Sequence, residues 1–164
     1  DSVQVWPSAK TALITQLFRA GQEQIQVSDG DAVTVVLDRE LDISRGDLFT
    51  LAHDPVSTSK RFDAQLCWLD EQALNTSRSY WLKQGTRLTQ AKVQAVHALR
   101  DVHSLQEQQA ADTLSLNDIG RVSLVSRDPL VLDDYQDHSS TGSFILIDPS
   151  TNQTVAAGLV QKAA

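Results

Sequence analysis

The sequence predicts an all-β protein built from two units. Short runs of β-branched and aromatic residues recur between turns rich in Gly, Asn and Asp, which is typical of antiparallel strands. Hydrophobic residues make up 41% of the 164 residues and charged residues 21%, with only seven Gly and four Pro. This composition excludes a disordered, collagen-like or coiled-coil chain. The apolar runs are far shorter than the roughly 18 residues that a membrane helix needs, so no such span is predicted.

Residues 1–54 form the first predicted unit, which begins with a pair of strands. Val3 and Val5 alternate along the first strand, a turn follows over 6–10, and a second strand covers 11–18. Alternation of this kind places every second side chain on one face of a sheet. We therefore expect Val3 and Val5 to share a face.

Two further turns divide the rest of this unit. Ser28-Asp29-Gly30-Asp31 favours a turn, because Gly accepts positive φ and Asp side chains bond nearby amides. It opens a strand over 32–37, which is apolar on both faces and is therefore predicted to be buried. Arg45-Gly46-Asp47 predicts a second turn, followed by a strand over 48–52.

Residues 55–164 form the second predicted unit. Its boundary with the first lies within a connector over 53–60 that contains Asp-Pro and several Ser and Thr residues. Strands are predicted over 62–69, 79–83, 121–125, 143–148 and 155–160. The pattern over 86–100 fits both a helix and a strand, so periodicity leaves this segment open. Residues 104–112 are polar, and we predict a loop there.

The charge and the cysteine content limit the classes of partner and compartment. The net charge of −7, with a pI near 4.9, has the wrong sign for neutralising phosphates, which argues against nucleic acid. The first unit carries four basic and nine acidic groups, net −5, and the second carries ten and twelve, net −2. A single cysteine and the lack of a secretory signal predict a cytoplasmic protein. The absence of Met predicts that the chain begins within a longer protein.

Motifs for nucleotide and hydrolase chemistry are missing from the sequence. A phosphate-binding loop needs GxxxxGK[ST], and no glycine here precedes a lysine. Neither GxGxxG nor GxSxG occurs. We therefore predict no catalytic, cofactor-binding or metal-binding residue in this chain.

Three sets of side chains that could suggest a site are interpreted as structural. The histidines are too scattered for a zinc pair, and His97 is predicted to be a half-buried packing residue with one hydrogen bond. Four aspartates lack the ligand spacing of a calcium loop and predict a solvated acidic loop; they are Asp128, Asp133, Asp134 and Asp137. Cys67 has no basic neighbour in the sequence to stabilise a thiolate, so we predict that it belongs to the core.

A series of short motifs is spread over nearly the whole chain. They comprise Val5-Trp6-Pro7-Ser8-Ala9-Lys10, the strand 32–38, Glu40, Asp42-Ile43-Ser44-Arg45-Gly46-Asp47-Leu48, Trp68, Leu116-Asn117-Asp118-Ile119-Gly120-Arg121-Val122, Pro129-Leu130-Val131-Leu132-Asp133, Gly142, 144–148 and Ala157-Gly158. Together and in this order they resemble the C-terminal part of the large, GTP-hydrolysing subunit of bacterial sulfate adenylyltransferase, a relative of elongation factor Tu. The 42–47 motif and the Ile-Gly turn followed by Pro-Leu-Val-Leu-Asp point most narrowly to this sulfate-activating branch.

The resemblance implies a fold and a domain organisation. Residues 1–54 would be the C-terminal part of an elongation factor Tu-like domain 2 barrel, and residues 55–164 a six-stranded Greek-key domain 3 barrel. It implies a strand over 86–100. The residues that bind GTP and Mg²⁺ would lie in a GTPase domain outside this chain. Between 101 and 115 the sequence departs from the family pattern.

The resemblance also implies a function and partners. The chain would be a non-catalytic β-barrel module of the longer parent protein, which supports formation of adenylylsulfate from ATP and sulfate in sulfate assimilation. Its partners would be the small catalytic subunit and the parent's own GTPase domain, and the incomplete first barrel would offer an open edge to a second copy of the chain. The alternative is a tRNA- or protein-binding barrel pair of a translation elongation factor. An independent enzyme is disfavoured by the missing motifs.

Overall fold

The computed structural model describes residues 1–100, 107–109 and 112–161, and these residues form strands, turns and loops without a helix. The predicted all-β class is therefore confirmed. The chain divides into two compact units, Asp1–Val56 and Ser57–Ala164. This division lies two residues beyond the 54/55 boundary expected from the sequence.

Unit 1 is an open sheet of five strands. They are β1 (Ser2–Trp6), β2 (Lys10–Arg19), β3 (Gln22–Gln24), β4 (Val33–Leu37) and β5 (Leu48–Leu51). The sheet order is β3-β2-β1-β5, and β4 pairs with β2. All of these pairs are antiparallel. The sheet has the form of a half barrel, and β5 pairs on one side only.

The β1–β2 hairpin provides the buried face of unit 1. Val3 lies opposite Ala12 on β2 and opposite Leu51 on β5. Residues directly opposite each other share a face. Val3, Val5 and Ala12 are accordingly almost fully buried. The predicted alternation of the two valines is confirmed.

The prediction that the strand over 32–37 is buried is wrong. The strand exists as β4, but Val33 is 38% exposed and no position of β4 is fully buried. Its β-branched residues favour the extended backbone. Burial further requires a second layer over each face, and β4 pairs with β2 alone. The short polar strand β3 was not predicted, because Gln-Glu-Gln has no strand pattern.

Unit 2 is a closed antiparallel barrel of six strands with one short strand attached. The strands are β6 (Thr58–Trp68), β7 (Tyr80–Gln84), β8 (Arg87–Arg100), β9 (Glu107–Gln109), β10 (Ile119–Val131), β11 (Ser143–Ile147) and β12 (Thr154–Gln161). The order β10-β6-β12-β11-β7-β8 is closed by pairing of β8 with β10. Successive strands β6 and β7 are not neighbours, as a Greek-key connection requires.

Strand β8 resolves the segment that periodicity left open. Its first part pairs with β7 and its later part with β10, and Ala91 pairs with both, so β8 is held in the sheet from each side. Ala91 and Val93 are buried at alternate positions. The loop predicted over 104–112 is wrong at Glu107–Gln109, which pairs as β9 with Ala98–Arg100. Of that segment, residues 104–106 and 110–111 lie outside the described residues.

The barrel interior is filled by one apolar cluster. Leu66, Leu82, Val93 and Leu146 are at most 1% exposed. The ring of Trp68 meets that of Tyr80 edge to face at 5.7 Å. Trp68 Nε1 donates to the Gln72 carbonyl at 2.7 Å, so the one polar atom of the side chain is satisfied inside the core.

Candidate functional site

A cleft on unit 2, here named the β6–β10 cleft, combines charged and apolar side chains. Its volume is about 320 Å³. Its polar walls include Arg61 and Asp63 from β6, Ser123 from β10, and the loop residues Asp133 and Asp134. Phe62, Leu124, Leu132 and Val160 supply the apolar part. This mixture suits binding of a polar group beside an apolar surface.

A hydrogen-bonded chain of three side chains borders this cleft. Ser123 Oγ donates to Asp63 Oδ1 at 2.5 Å, and His97 Nε2 lies 2.6 Å from the same hydroxyl. An ionised carboxylate only accepts and a serine hydroxyl carries one proton, so His97 Nε2 must be the donor to Ser123. A Ser-His-Asp nucleophile needs the opposite arrangement, with histidine accepting the serine proton. These hydrogen bonds therefore link β8, β10 and β6 and do not activate Ser123.

The structure places His97 differently from the sequence prediction in one respect. Among the described residues its side chain makes one hydrogen bond, as predicted, but it is exposed and not half-buried. The reason is the alternation of β8, in which the neighbouring Ala98 faces the core. His97 consequently stands on the outer face of the barrel.

Cys67 is not a core residue, and that prediction is wrong. Its neighbours Leu66 and Trp68 are buried, whereas Cys67 is half-buried with a free thiol. Alternation along β6 allows only every second side chain to enter the barrel. Cys67 therefore lies on the opposite face of the strand from its two neighbours.

The four aspartates of the predicted acidic loop are divided between a strand and a loop. Asp128 lies within β10, where its Oδ2 accepts from Thr89 Oγ1 at 2.7 Å. In the loop, Asp133 Oδ2 accepts from Thr141 Oγ1 and Asp134 Oδ1 accepts from the Gln136 amide. These carboxylates are bound to different partners, and the described residues contain no cluster of three or more His, Cys, Asp or Glu arranged for a metal ion.

The Arg45-Gly46-Asp47 tripeptide forms the predicted turn. The Asp47 amide donates to the Ser44 carbonyl at 3.0 Å, and Asp47 Oδ2 accepts from the Ser44 amide at 2.9 Å. Gly46 has φ +98°, a backbone conformation that favours glycine. The prediction of a turn at Gly46 is confirmed.

An ion pair that the sequence does not predict joins two loops of unit 2. Arg78 Nη2 lies 3.1 Å from Asp148 Oδ2, and the Ser150 amide donates to Asp148 Oδ1 at 2.7 Å. The Ser150 amide is the main cause that lowers the pKa of Asp148, burial opposes it, and Arg78 lowers it further. Asp-Pro-Ser is a sequence typical of turns, which is a signal for the local contact with Ser150. Nothing in the sequence indicated the partner 70 residues away.

No helix within residues 1–100, 107–109 and 112–161 has the length and apolarity to cross a bilayer.

Comparison with known proteins places this barrel in a family. Residues 61–161 match the family model described as GTP-eEF1A C-terminal domain-like. The chain belongs to this family. The matched residues begin within β6 and end with β12, so they include every strand of the closed barrel.

The curated relatives of the chain include a bifunctional enzyme CysN/CysC and a sulfate adenylyltransferase subunit 1. The chain is 42% identical over 161 residues to the bifunctional enzyme CysN/CysC of Mycobacterium tuberculosis H37Rv, covering 98% of the chain and 26% of that protein. It is 38% identical over 160 residues to sulfate adenylyltransferase subunit 1 of Rhizobium meliloti 1021, covering 98% and 32%. The chain thus spans about a quarter to a third of the length of these relatives. The resemblance inferred from the motifs is confirmed.

A solved structure of sup35 complexed with GDP matches the whole chain and 40% of its own length, with a TM-score of 0.87 and 22% sequence identity. This likeness concerns the fold. It supports the elongation factor Tu-like architecture predicted from the motifs.

Proposed function

We propose that this chain is the β-barrel region of the GTP-hydrolysing subunit of a sulfate adenylyltransferase. The observation that carries the proposal is the identity, over 98% of the chain, of 42% to a bifunctional enzyme CysN/CysC and of 38% to a sulfate adenylyltransferase subunit 1. The relatives' names refer to whole proteins that are three to four times longer than this chain. The chain therefore contributes one region of such a protein.

Within that protein the chain acts without catalysis of its own. The sequence lacks the phosphate-binding loop, and the described residues have no helix whose N-terminus could cradle phosphates. His97 and Ser123 are arranged for structure and not for nucleophilic attack. GTP and Mg²⁺ would be held by residues of the parent protein that lie outside this chain. The parent protein would be cytoplasmic.

The role that remains is mechanical coupling. A closed barrel with a continuous apolar core is a rigid body, which can transmit a change in one partner to another. We propose that the chain contacts the parent's GTPase domain and the small catalytic subunit, and so links GTP hydrolysis to adenylylsulfate formation.

Copurification tests this role. The tagged chain, at about 10 µM, is mixed with the small subunit of the same sulfate adenylyltransferase, and retention is measured at about 0.1 and 0.3 M salt. Retention at both concentrations supports the proposal. Failure to retain the subunit at low salt contradicts coupling through this chain.

The same preparation distinguishes the translation-factor alternative. In filter binding of transfer RNA over a salt series, a tRNA-binding barrel pair should retain RNA at low salt and lose it steeply as salt rises. We expect no retention, because the chain has net charge −7. Salt-dependent RNA binding together with loss of the small subunit would favour the alternative.

A further inference from the structure

A second cavity, here named the β8–β10 pocket, lies on unit 2 and has a basic lining. Its volume is about 260 Å³. Besides the buried Ser126, four outward-facing polar side chains line it: Ser79, Gln90, Lys92 and Arg127. The lining contains two cationic side chains and no carboxylate. That is unusual on a chain with net charge −7.

Strand register places the two cations side by side. Val125 of β10 lies opposite Lys92 of β8, and Ser126 lies opposite Ala91. Ala91 and Ser126 are buried, so Lys92, Val125 and Arg127 stand on the outer face. Lys92 and Arg127 are therefore diagonal neighbours, with backbones about 7–8 Å apart. Long side chains at that spacing can reach one shared ion.

The same register brings the neutral donors to the pocket. Tyr80 of β7 lies opposite Ala91, so the preceding residue, Ser79, adjoins Lys92. Gln90 lies beside Arg127, since Ser126 pairs with Ala91. A hydroxyl and an amide thus flank the two cations.

These four side chains have no partner of their own within the described part of the chain. Neither Lys92 nor Arg127 forms an ion pair there, and the side chains of Ser79 and Gln90 form no hydrogen bond there. The carboxylate nearest in sequence, that of Asp128, is bound by Thr89 Oγ1. Two adjacent like charges repel each other, and an anion between them would remove that cost.

We propose that the β8–β10 pocket binds a tetrahedral oxyanion with two negative charges, such as a phosphate group. The planar guanidinium of Arg127 can donate to two oxygens at once, and the Lys92 ammonium supplies a second charge. The Ser79 hydroxyl and the Gln90 amide can donate to the remaining oxygens. Gln90 and Lys92 lie in the part of β8 that pairs with β7 and β10, which holds their backbones in place before the ion binds. Arg127 directly follows the last β10–β8 pair, Ser126–Ala91.

Titration of the whole chain with inorganic phosphate tests the proposal. Backbone amide signals are followed by NMR in the wild type, in the Lys92→Gln/Arg127→Gln variant and in the matched Lys10→Gln/Arg45→Gln variant, which removes the same charge from unit 1. We expect saturable shifts of the Lys92 and Arg127 amides at millimolar phosphate, and affinity weaker by about tenfold or more in the pocket variant alone. The amide spectrum of each variant reports whether it is folded.

Three results would overturn the proposal. The amide shifts do not saturate, the Lys92→Gln/Arg127→Gln variant binds phosphate as tightly as the wild type, or this variant and the Lys10→Gln/Arg45→Gln control lose the same amount of phosphate affinity. A second variant, Arg127→Lys, keeps the charge and removes the planar fork. It should bind phosphate more tightly than Lys92→Gln/Arg127→Gln and less tightly than the wild type.

A parallel titration with O-phosphoserine distinguishes whether the phosphate group belongs to a phosphorylated partner or to the free ion. Tighter binding than that of inorganic phosphate would assign the pocket to a phosphorylated partner, and weaker binding would assign it to the free ion. If neither compound binds, the pocket is not an oxyanion site.

Discussion

Gly158 of β12 lies directly opposite Phe144 of β11, and a β-carbon on Gly158 would collide with the ring of Phe144. The nearest ring atoms include Cε2, at 2.5 Å from that position. The ring cannot move away easily, because it is buried and meets Phe62 edge to face at 5.6 Å. Space, and not backbone conformation, therefore requires glycine here.

The first prediction follows from this contact. Gly158→Ala should destabilise unit 2 by about 1–3 kcal/mol, because the added methyl overpacks the core beside Phe144. Urea unfolding followed by tryptophan fluorescence measures the change. The neighbouring exposed residue provides the control, and Ala157→Ser should change the free energy of unfolding by less than about 0.5 kcal/mol. Equal stability of Gly158→Ala and the wild type would contradict the contact.

A second prediction concerns the turn of unit 1. Gly46→Val should destabilise unit 1 by about 1 kcal/mol or more, because a β-branched residue is strained at φ +98°. The melting temperature of the chain checks this. Arg45→Ala, in the same turn but exposed, should leave the melting temperature nearly unchanged. A Gly46→Val variant with the same melting temperature as the wild type would be inconsistent with the turn.

The ion pair of Asp148 predicts a pH dependence. The Ser150 amide and Arg78 favour the charged carboxylate, so the folded pKa lies below the ordinary value of 3.8. Stability from this group is present above that value and is lost as the pH falls through the lower, folded pKa. Asp148→Asn should therefore be less stable than the wild type at pH 7, by about 1–3 kcal/mol. The difference should shrink below pH 4.

Urea unfolding at pH 7, 5 and 3 measures this difference. The control is Asp137→Asn, at an exposed loop position, which should have little effect at any of these values. A difference for Asp148→Asn that stays constant with pH would show that the carboxylate charge contributes nothing.

The absence of a phosphate-binding loop predicts that the chain is silent in nucleotide assays. The isolated chain should form no adenylylsulfate and should show no micromolar affinity for GTP in calorimetry. Any weak, millimolar interaction with the triphosphate should disappear in Lys92→Gln/Arg127→Gln, since it would arise at the β8–β10 pocket. Micromolar GTP binding would refute the assignment of GTP to residues outside this chain.

The open edge of unit 1 predicts self-association. Strand β5 pairs with β1 alone, and Phe49 and Leu51 on it are 39% and 42% exposed. Such an edge pairs readily with another strand, so we expect the chain to form a homodimer. Light scattering should report a dimer for the wild type and a monomer for Leu51→Lys, because charge on an edge strand opposes pairing.

The matched control for that experiment is Leu69→Lys, which places the same charge at an exposed apolar residue outside any strand. It should remain dimeric. A monomeric wild type would contradict association through β5.

Local sequence determined most of the strands, the turn at Gly46 and the family, but it left β8 open and predicted neither β3 nor β9. Alternating residues predicted β1 and β2, and Gly46 predicted its turn, because extended backbone and positive φ are properties of a few neighbouring residues. The motifs from Val5 to Gly158 predicted the relatives. All of this information is contained in short segments of the chain.

Tertiary structure alone decided which apolar residues are buried and which polar residues meet. Val33 is exposed and Cys67 lies outside the core although both occupy strands with apolar neighbours. The pairing of β8 with β10 sets Lys92 beside Arg127, although 35 positions separate them in the sequence (127 − 92). Burial and contact depend on what the rest of the chain places against a strand, and that is fixed by register and barrel closure, which no local pattern encodes.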